Sequence, residues 1–438
     1  MPADIIITNG IVVTVNPHFD IIKNGEVRIK DGRITSVGPV GMDAGHHPEA
    51  QVIDAGGGII MPGLINTHTH LPMSLFRGLA DDLMLSDWLN KHIFPAESKH
   101  INEHTVRIAS LLSCAEMLLS GTTTCCDGYF FESGVAAAVR ESGMRAVLGQ
   151  GVIDFPAPGA PDPARNIDIA REFLAAVKDT SPLIHPSVFC HSPYTCSGKT
   201  LCAAKALANE FGVRFQIHVA ETKGEADMIE GAGGLSPIAY LDRLGILDEN
   251  TIAVHCIWVD DVDIEILADK GVCVSHNPES NMKLASGAAP VAAMLDAGIL
   301  AGIGTDGCAS NNDLDMFSEM DMAAKLAKVF SMDTIVLDAQ TVLTAATMGG
   351  ASVAGLSEIT GSIEKGKAAD IIIVNTAKPH LTPMYDPVSH LVYAARGSDV
   401  DTVMVNGRIL VKDGALVYMD VEKIMDGVRK VAGEVMRG

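Results

Sequence analysis

From residue 58 onward the 438-residue chain repeats one pattern eight times. A short apolar, β-branched run ends in a polar residue, and a helix-like stretch follows. The runs end near His68/His70, Asp127, Asp154, His191, His218, His255, His276 and Asp306. Apolar spacing predicts helices over 106–120, 134–141, 167–177, 200–211 and 261–270 between them. Eight β/α units in series specify an α/β fold, a (β/α)8 TIM-type barrel whose strand C-termini converge on one face. An open doubly wound sheet would gather its site at one switch point beside a Gly-rich phosphate loop. Here the polar residues close nearly every strand, and no GxGxxG or GxxxxGK[ST] stands in the right context.

The two chain ends share a different texture. Asp4-Ile-Ile-Ile and Val27-Arg-Ile-Lys near the start, and Asp370-Ile-Ile-Ile-Val and Val403-Met-Val near the end, are short β-type runs. Asn9-Gly10, Asn24-Gly25, Asp31-Gly32, Asn406-Gly407 and Asp413-Gly414 punctuate them as hairpin turns, because both central positions tolerate positive φ. Isolated hairpins are marginal in water, so the ends are expected to join into one small β domain. With 47% hydrophobic and 20% charged residues the chain can bury a full core. Its 32 Lys and Arg against 54 Asp and Glu leave a net charge of −22, the wrong sign for nucleic acid or an anionic membrane surface. Nine cysteines without regular spacing, no signal-like start and no apolar stretch of roughly 18 residues indicate a reduced, cytoplasmic protein.

The strand ends carry the chemistry. His68 and His70 in Asn66-Thr-His-Thr-His alternate along an extended strand, so both imidazoles point to one side and make half of a metal site. One such pair arises often by chance. His218 closes another apolar strand as a third neutral donor, with Glu221 three residues on, and His255 closes the next. Asp306 ends a Gly-rich apolar strand, where burial is expensive unless the carboxylate meets a cation or strong hydrogen bonds. Packing alone does not explain all of these at successive strand ends.

In this order the residues resemble the amidohydrolase superfamily, and the likeness runs over essentially the whole chain. The resemblance implies the barrel over 58–365 and a β-sandwich domain of 1–57 plus 366–438. It implies His68, His70, His218 and Asp306 as metal ligands and His255 as the residue that orients the metal-bound water. The fourth strand, Val188-Phe-Cys-His-Ser-Pro-Tyr, lacks the bridging Lys of binuclear relatives, so one divalent ion is expected. Zinc is the usual choice, with iron and manganese as alternatives. Such an ion lowers the pKa of bound water toward neutrality. Asp306 can take its proton, and Glu221 can shuttle protons to the substrate ring and the leaving ammonia, as in other zinc deaminases.

Longer strings narrow the likeness. Leu71-Pro-Met-Ser-Leu-Phe-Arg-Gly-Leu-Ala-Asp-Asp-Leu, Pro95-Ala-Glu97, Cys190-His-Ser-Pro-Tyr, Ser275-His-Asn-Pro-Glu-Ser-Asn-Met-Lys-Leu and Gly304-Thr-Asp-Gly-Cys-Ala-Ser-Asn-Asn-Asp-Leu resemble the 5-methylthioadenosine/S-adenosylhomocysteine deaminases. That likeness implies a small-molecule nucleoside substrate, no nucleic-acid or membrane partner, and a homo-oligomer. Glu97 would hold the ribose hydroxyls, since a carboxylate accepts well from two vicinal donors. His191 and His218 would face the nucleoside, and Trp88 the base or thioether, unless Trp88 is simply a core or lid aromatic. His276 and Asn281 would order the loop after the seventh strand. Some relatives carry an Arg on the third strand where Gln150 stands, with Arg165 in the next loop a substitute. Gln keeps a hydrogen bond but loses the charge for an amino-acid carboxylate. This departure favours methylthioadenosine or adenosine over S-adenosylhomocysteine. The competing readings are a deaminase or chlorohydrolase of free purine, pterin or triazine rings, and an inactive barrel serving as an assembly subunit.

Overall fold

The computed structural model describes residues 4–41 and 49–437; residues 1–3, 42–48 and 438, which fall within the expected β domain, lie outside the described residues. The eight apolar runs form eight strands, Leu64–Thr69, Thr122–Tyr129, Arg145–Val152, Ile184–Cys190, Arg214–Val219, Thr251–His255, Cys273–His276 and Ala301–Ile303, each beside its successor. All seven pairings are parallel. The wall is buried on both faces, as a helix-wrapped parallel sheet must be: every residue of Thr122–Tyr129 and Arg145–Val152 is buried. Helices Glu103–Leu119, Gly198–Phe211 and Asp261–Asp269 start on Asn102, Ser197 and Asp260, whose side chains accept from first-turn amides.

Closure between the first and eighth strands runs through residues at their C-terminal ends. Asp306 N donates to His68 O at 3.0 Å. Asn66 accepts from Thr305 N at 3.1 Å and donates to Thr305 Oγ1 at 2.7 Å. Two glycines permit this approach. A Cβ at Gly302 would stand 2.4 Å from Thr67 Cγ2, and one at Gly304 would stand 2.7 Å from His68 N.

The chain ends form a second, nine-stranded sheet, ordered Ala415–Leu416, Arg408–Lys412, Val400–Val405, Ile371–Val374, Ile59–Pro62, Ile5–Val13, Ile21–Lys30 and Arg33–Pro39, with Gln51–Asp54 also on Ile5–Val13. The edge strand Arg33–Pro39 curls back, so that Ile34 N bonds to Lys367 O at 2.9 Å. A core of Ile7, Val27, Ile29, Ile60, Ile371 and Met404 fills the fold between. Three details differ from the sequence reading. Ile59–Pro62 belongs to this sheet and joins its two halves, pairing with Ile11–Val12 and Ile371–Val374. The break from the barrel comes at Gly63, where a Cβ would stand 2.2 Å from Thr123 Oγ1. Within 366–438, helices Pro387–Tyr393 and Val421–Val435 pack on the barrel's own helices. Asn9-Gly10 and Asn24-Gly25 are not hairpin turns. They lie inside strands, with a register break at Gly10, and Gly25 sits where a Cβ would come 2.5 Å from Val12 Cγ2. Asp31-Gly32, Asn406-Gly407 and Asp413-Gly414 do join neighbouring strands, with positive φ at both positions.

All nine cysteines are free thiols, and only Cys202 is exposed. Among the described residues no helix is long and apolar enough to cross a membrane.

Candidate active site

His68, His70, His218 and Asp306 meet at the C-terminal mouth of the barrel, each buried, with one donor atom apiece inside 4.8 Å of the others. His68 Nε2 lies 3.0 Å from His218 Nε2 and 3.4 Å from Asp306 Oδ1, and His70 Nε2 lies 3.3 Å from that oxygen. Burial pushes His68 down to about 4 and lowers His70 and His218, so the three imidazoles are neutral at physiological pH. His70 Nδ1 faces Gly128 O at 2.6 Å and must carry its proton there, which leaves Nε2 as a lone pair toward the cluster. Burial alone would raise the Asp306 carboxyl, but His68, His70 and His255 outweigh it and hold the group well below the carboxylate range. Its Oδ2 accepts from Ser280 Oγ at 2.6 Å and Ser310 Oγ at 2.9 Å. Oδ1 accepts from Gly307 N at 2.8 Å and faces the imidazoles. Asp306 (φ 61°) and His255 (φ 74°) both hold left-handed backbone, a strain typical of functional strand ends. Three neutral nitrogens and one carboxylate oxygen fit a single divalent cation.

His255 stands beside this cluster, with Nδ1 2.9 Å from Asn281 Oδ1 and Nε2 4.0 Å from Glu221 Oε2. The Asn281 contact fixes the ring, with Nε2 on the side of Glu221. Glu221 lies on the turn after the fifth strand, where its backbone N donates to Glu225 Oε2 at 2.9 Å. Burial raises the Glu221 carboxyl and pushes Glu225 up to about 7.

These groups open into a cleft of about 930 Å³, counting space continuous with solvent. Trp88 and Glu97 line it from the segment after the first strand, and His191 from the end of the fourth, with His191 Nδ1 3.0 Å from Thr195 Oγ1. Glu97 is buried, accepts a hydrogen bond from the Tyr129 hydroxyl, and is pushed up to about 7 by that burial. Two expected substrate contacts lie elsewhere. Gln150 points outward and accepts from Glu132 N at 3.2 Å. Gly149 before it faces inward, where a Cβ would stand 2.9 Å from Phe189 Cβ, so alternation turns Gln150 away. Arg165 is half exposed and pairs with Asp168 and Glu172 at 3.3 and 3.2 Å. His276 closes the seventh strand outside the cleft lining, and Asp154 accepts from Ser197 N at 2.7 Å at the start of a barrel helix. Ser280, Ser310 and Tyr129 were absent from the sequence reading. Tyr129 could have been found there, because it sits two residues after Asp127 near a strand end.

The whole chain has close counterparts. The amidohydrolase family model matches residues 59–410. A 5-methylthioadenosine/S-adenosylhomocysteine deaminase of Syntrophobacter fumaroxidans is 45% identical over 430 residues, covering 98% of each chain. A 5′-deoxyadenosine deaminase of Methanosarcina mazei is 45% identical over 436 residues, covering 99% of each. The crystal structure of an adenosine deaminase from Xanthomonas campestris with bound zinc superposes with a TM-score of 0.97 at 38% identity, covering 100% of this chain and 99% of that one. With the barrel, the strand-end histidines and these counterparts in agreement, the chain belongs to the amidohydrolase family.

Proposed function

We propose that the protein hydrolyses the 6-amino group of adenosine-type nucleosides, converting nucleoside and water to the inosine-type product and ammonia, with zinc as its metal. The observation that carries this reading is the placement of Glu221 beside His255 in one cleft with the Glu97–Tyr129 pair. The relatives named above as deaminases of adenosine-type nucleosides support it. His68, His70, His218 and Asp306 would hold a divalent cation, which would make a bound water more acidic. Asp306, held through Oδ2 by two serine hydroxyls and through Oδ1 by Gly307 N, would take the proton of that water. Glu221, whose carboxyl burial raises, is placed to carry a proton to the ring nitrogen and later assist the departing amine. Glu97 offers a carboxylate to the ribose hydroxyls while Tyr129 fixes its orientation.

The cleft also bears on the 5′ group. Gln150 lies behind the wall, so its missing charge does not decide acceptance of S-adenosylhomocysteine. Among the described residues no Lys or Arg lines the cleft, whose wall includes Leu85, Leu89, Phe94, Phe155 and Pro156. Uncharged 5′ groups are therefore expected to give a higher kcat/KM than S-adenosylhomocysteine. The test is a spectrophotometric screen of methylthioadenosine, 5′-deoxyadenosine, adenosine and S-adenosylhomocysteine with zinc-loaded enzyme. Loss of absorbance at the adenine band, abolished by chelation and restored by zinc, is the expected result. No change with any of the four overturns the reading.

A further inference from the structure

The segment from Arg77 to Ile101 passes over the cleft and carries Trp88 and Glu97 into its lining. Its first limb is tied down at Arg77, whose guanidinium donates to Asn312 O at 2.6 Å and pairs with Glu116, and again four residues on at Asp81. Asp81 Oδ1 accepts from Lys283 Nζ at 2.7 Å, and Asp81 Oδ2 accepts from Asn312 Nδ2 at 3.0 Å. Lys283 Nζ also donates to Asn312 Oδ1 at 2.5 Å and Ala309 O at 3.3 Å. One ammonium therefore joins the loops that follow the first, seventh and eighth strands. Lys283 ends the short helix Pro278–Lys283, whose other residues are already committed: Ser280 to Asp306 Oδ2 and Asn281 to His255 Nδ1. The next residue, Leu284, lines the cleft. The helix that fixes Asp306 and His255 is thus the one to which the covering segment is fastened.

We propose that Lys283 is a positioning residue, its ammonium clasping Asp81 and Asn312 so that Trp88 and Glu97 are held over the cleft in register with Asp306 and His255. The inference rests on the nucleoside reading for its kinetic consequence, but not for its structural one. The clasp is accessible to ions, since the side chains of Lys283 and Asp81 are 24% and 32% exposed. Salt must weaken it. Methylthioadenosine carries no net charge, so salt acts on its binding through the protein.

The experiment compares the zinc-loaded wild type with Lys283→Met, Asp81→Ala and the double variant. KM for methylthioadenosine is expected to rise about three- to fivefold in each single variant, the scale of a partly exposed ion pair, with a smaller change in kcat. The double variant is expected to be no worse than either single one. KM of the wild type should climb with added salt, and that dependence should vanish in all three variants, which a merely structural loss would not produce. Without any substrate, amide hydrogen exchange over residues 78–93 should quicken in the variants while zinc content stays at one per chain. Unchanged exchange, or a KM and salt response like the wild type's, overturns the proposal. If no nucleoside is turned over by the wild type, the nucleoside reading fails, and the exchange measurement still decides the clasp.

Discussion

Glu97 sits where a carboxyl has little water and one strong donor, the Tyr129 hydroxyl. Burial raises it from 4.5 to about 7, so the folded chain holds a proton that the unfolded chain has released. For a raised carboxyl the stabilising effect is present below the unfolded value and is lost as pH rises through the folded one. Between about pH 4.5 and 7 this site therefore costs stability, on the order of 3 kcal/mol at full ionisation. Glu97→Gln stays neutral throughout. Its thermal midpoint is expected to gain on the wild type's as pH moves from about 5 to 8, and to match it at the acid end. Its kcat/KM for a nucleoside should fall, because an amide cannot accept from two hydroxyls as a carboxylate does. Paired melting curves and initial rates across that range check both halves. The cluster of His68, His70, His218 and Asp306 was legible in the sequence because each residue closes an apolar strand. Gln150 stays out of the cleft because Gly149 already claims the inward face of the alternating strand, a fact the family resemblance does not carry. Ser280 and Ser310 stand inside the resembling strings, but the sequence does not assign them to Asp306, because the loops after the seventh and eighth strands meet only in the fold.

At the scale of elements, barrel strands and helices follow from apolar period and helix caps, and their order fixes which ends converge. What the period does not reveal is how the eighth strand meets the first. That closure depends on a close backbone approach at Gly302 and Gly304, with Asp306 N bonded to His68 O at 3.0 Å. A methyl group at Gly304 would stand 2.6 Å from Asn277 Oδ1 and 2.7 Å from His68 N. Gly304→Ala must therefore push apart the two strands that carry His68 and Asp306. It is expected to cost about 1–3 kcal/mol of stability, the range for overpacking a rigid interior, and to weaken metal retention more than it weakens the fold. Denaturant unfolding with and without zinc, and zinc content after dialysis, separate the two effects. The Asn-Gly pairs show the same limit from the other side. A dipeptide that permits positive φ serves a hairpin at Asn406-Gly407 and a mid-strand bulge at Asn9-Gly10. Only the pairing partners distinguish them.

For the whole molecule, the question is whether barrel and chain-end sheet are separable. Ile59–Pro62 lies between strands from both ends of the chain and runs through Gly63 into the first barrel strand, so the sheet is incomplete without the segment that begins the barrel. Beneath the barrel, Arg145 Nε donates to Asp370 Oδ2 at 2.9 Å and Arg145 Nη2 to Asp370 Oδ1 at 3.2 Å, with the two side chains 2% and 0% exposed. Asp370 Oδ1 also accepts from Asn406 N at 2.7 Å, which ties a barrel strand to a turn of the sheet. Removing one partner of such a pair leaves a buried charge unmatched, at a cost of about 3–5 kcal/mol. Replacing both by apolar groups of similar volume costs far less, because no charge is stranded. Arg145→Met and Asp370→Leu are each expected to lower the denaturant midpoint strongly, and the double variant to recover most of the loss. If the two parts are one cooperative unit, far-ultraviolet dichroism and, in a Trp258→Phe background, the fluorescence of Trp88 at the cleft shift together in every variant. A chain-end sheet that melts ahead of the Trp88 signal would show instead that the barrel stands without it.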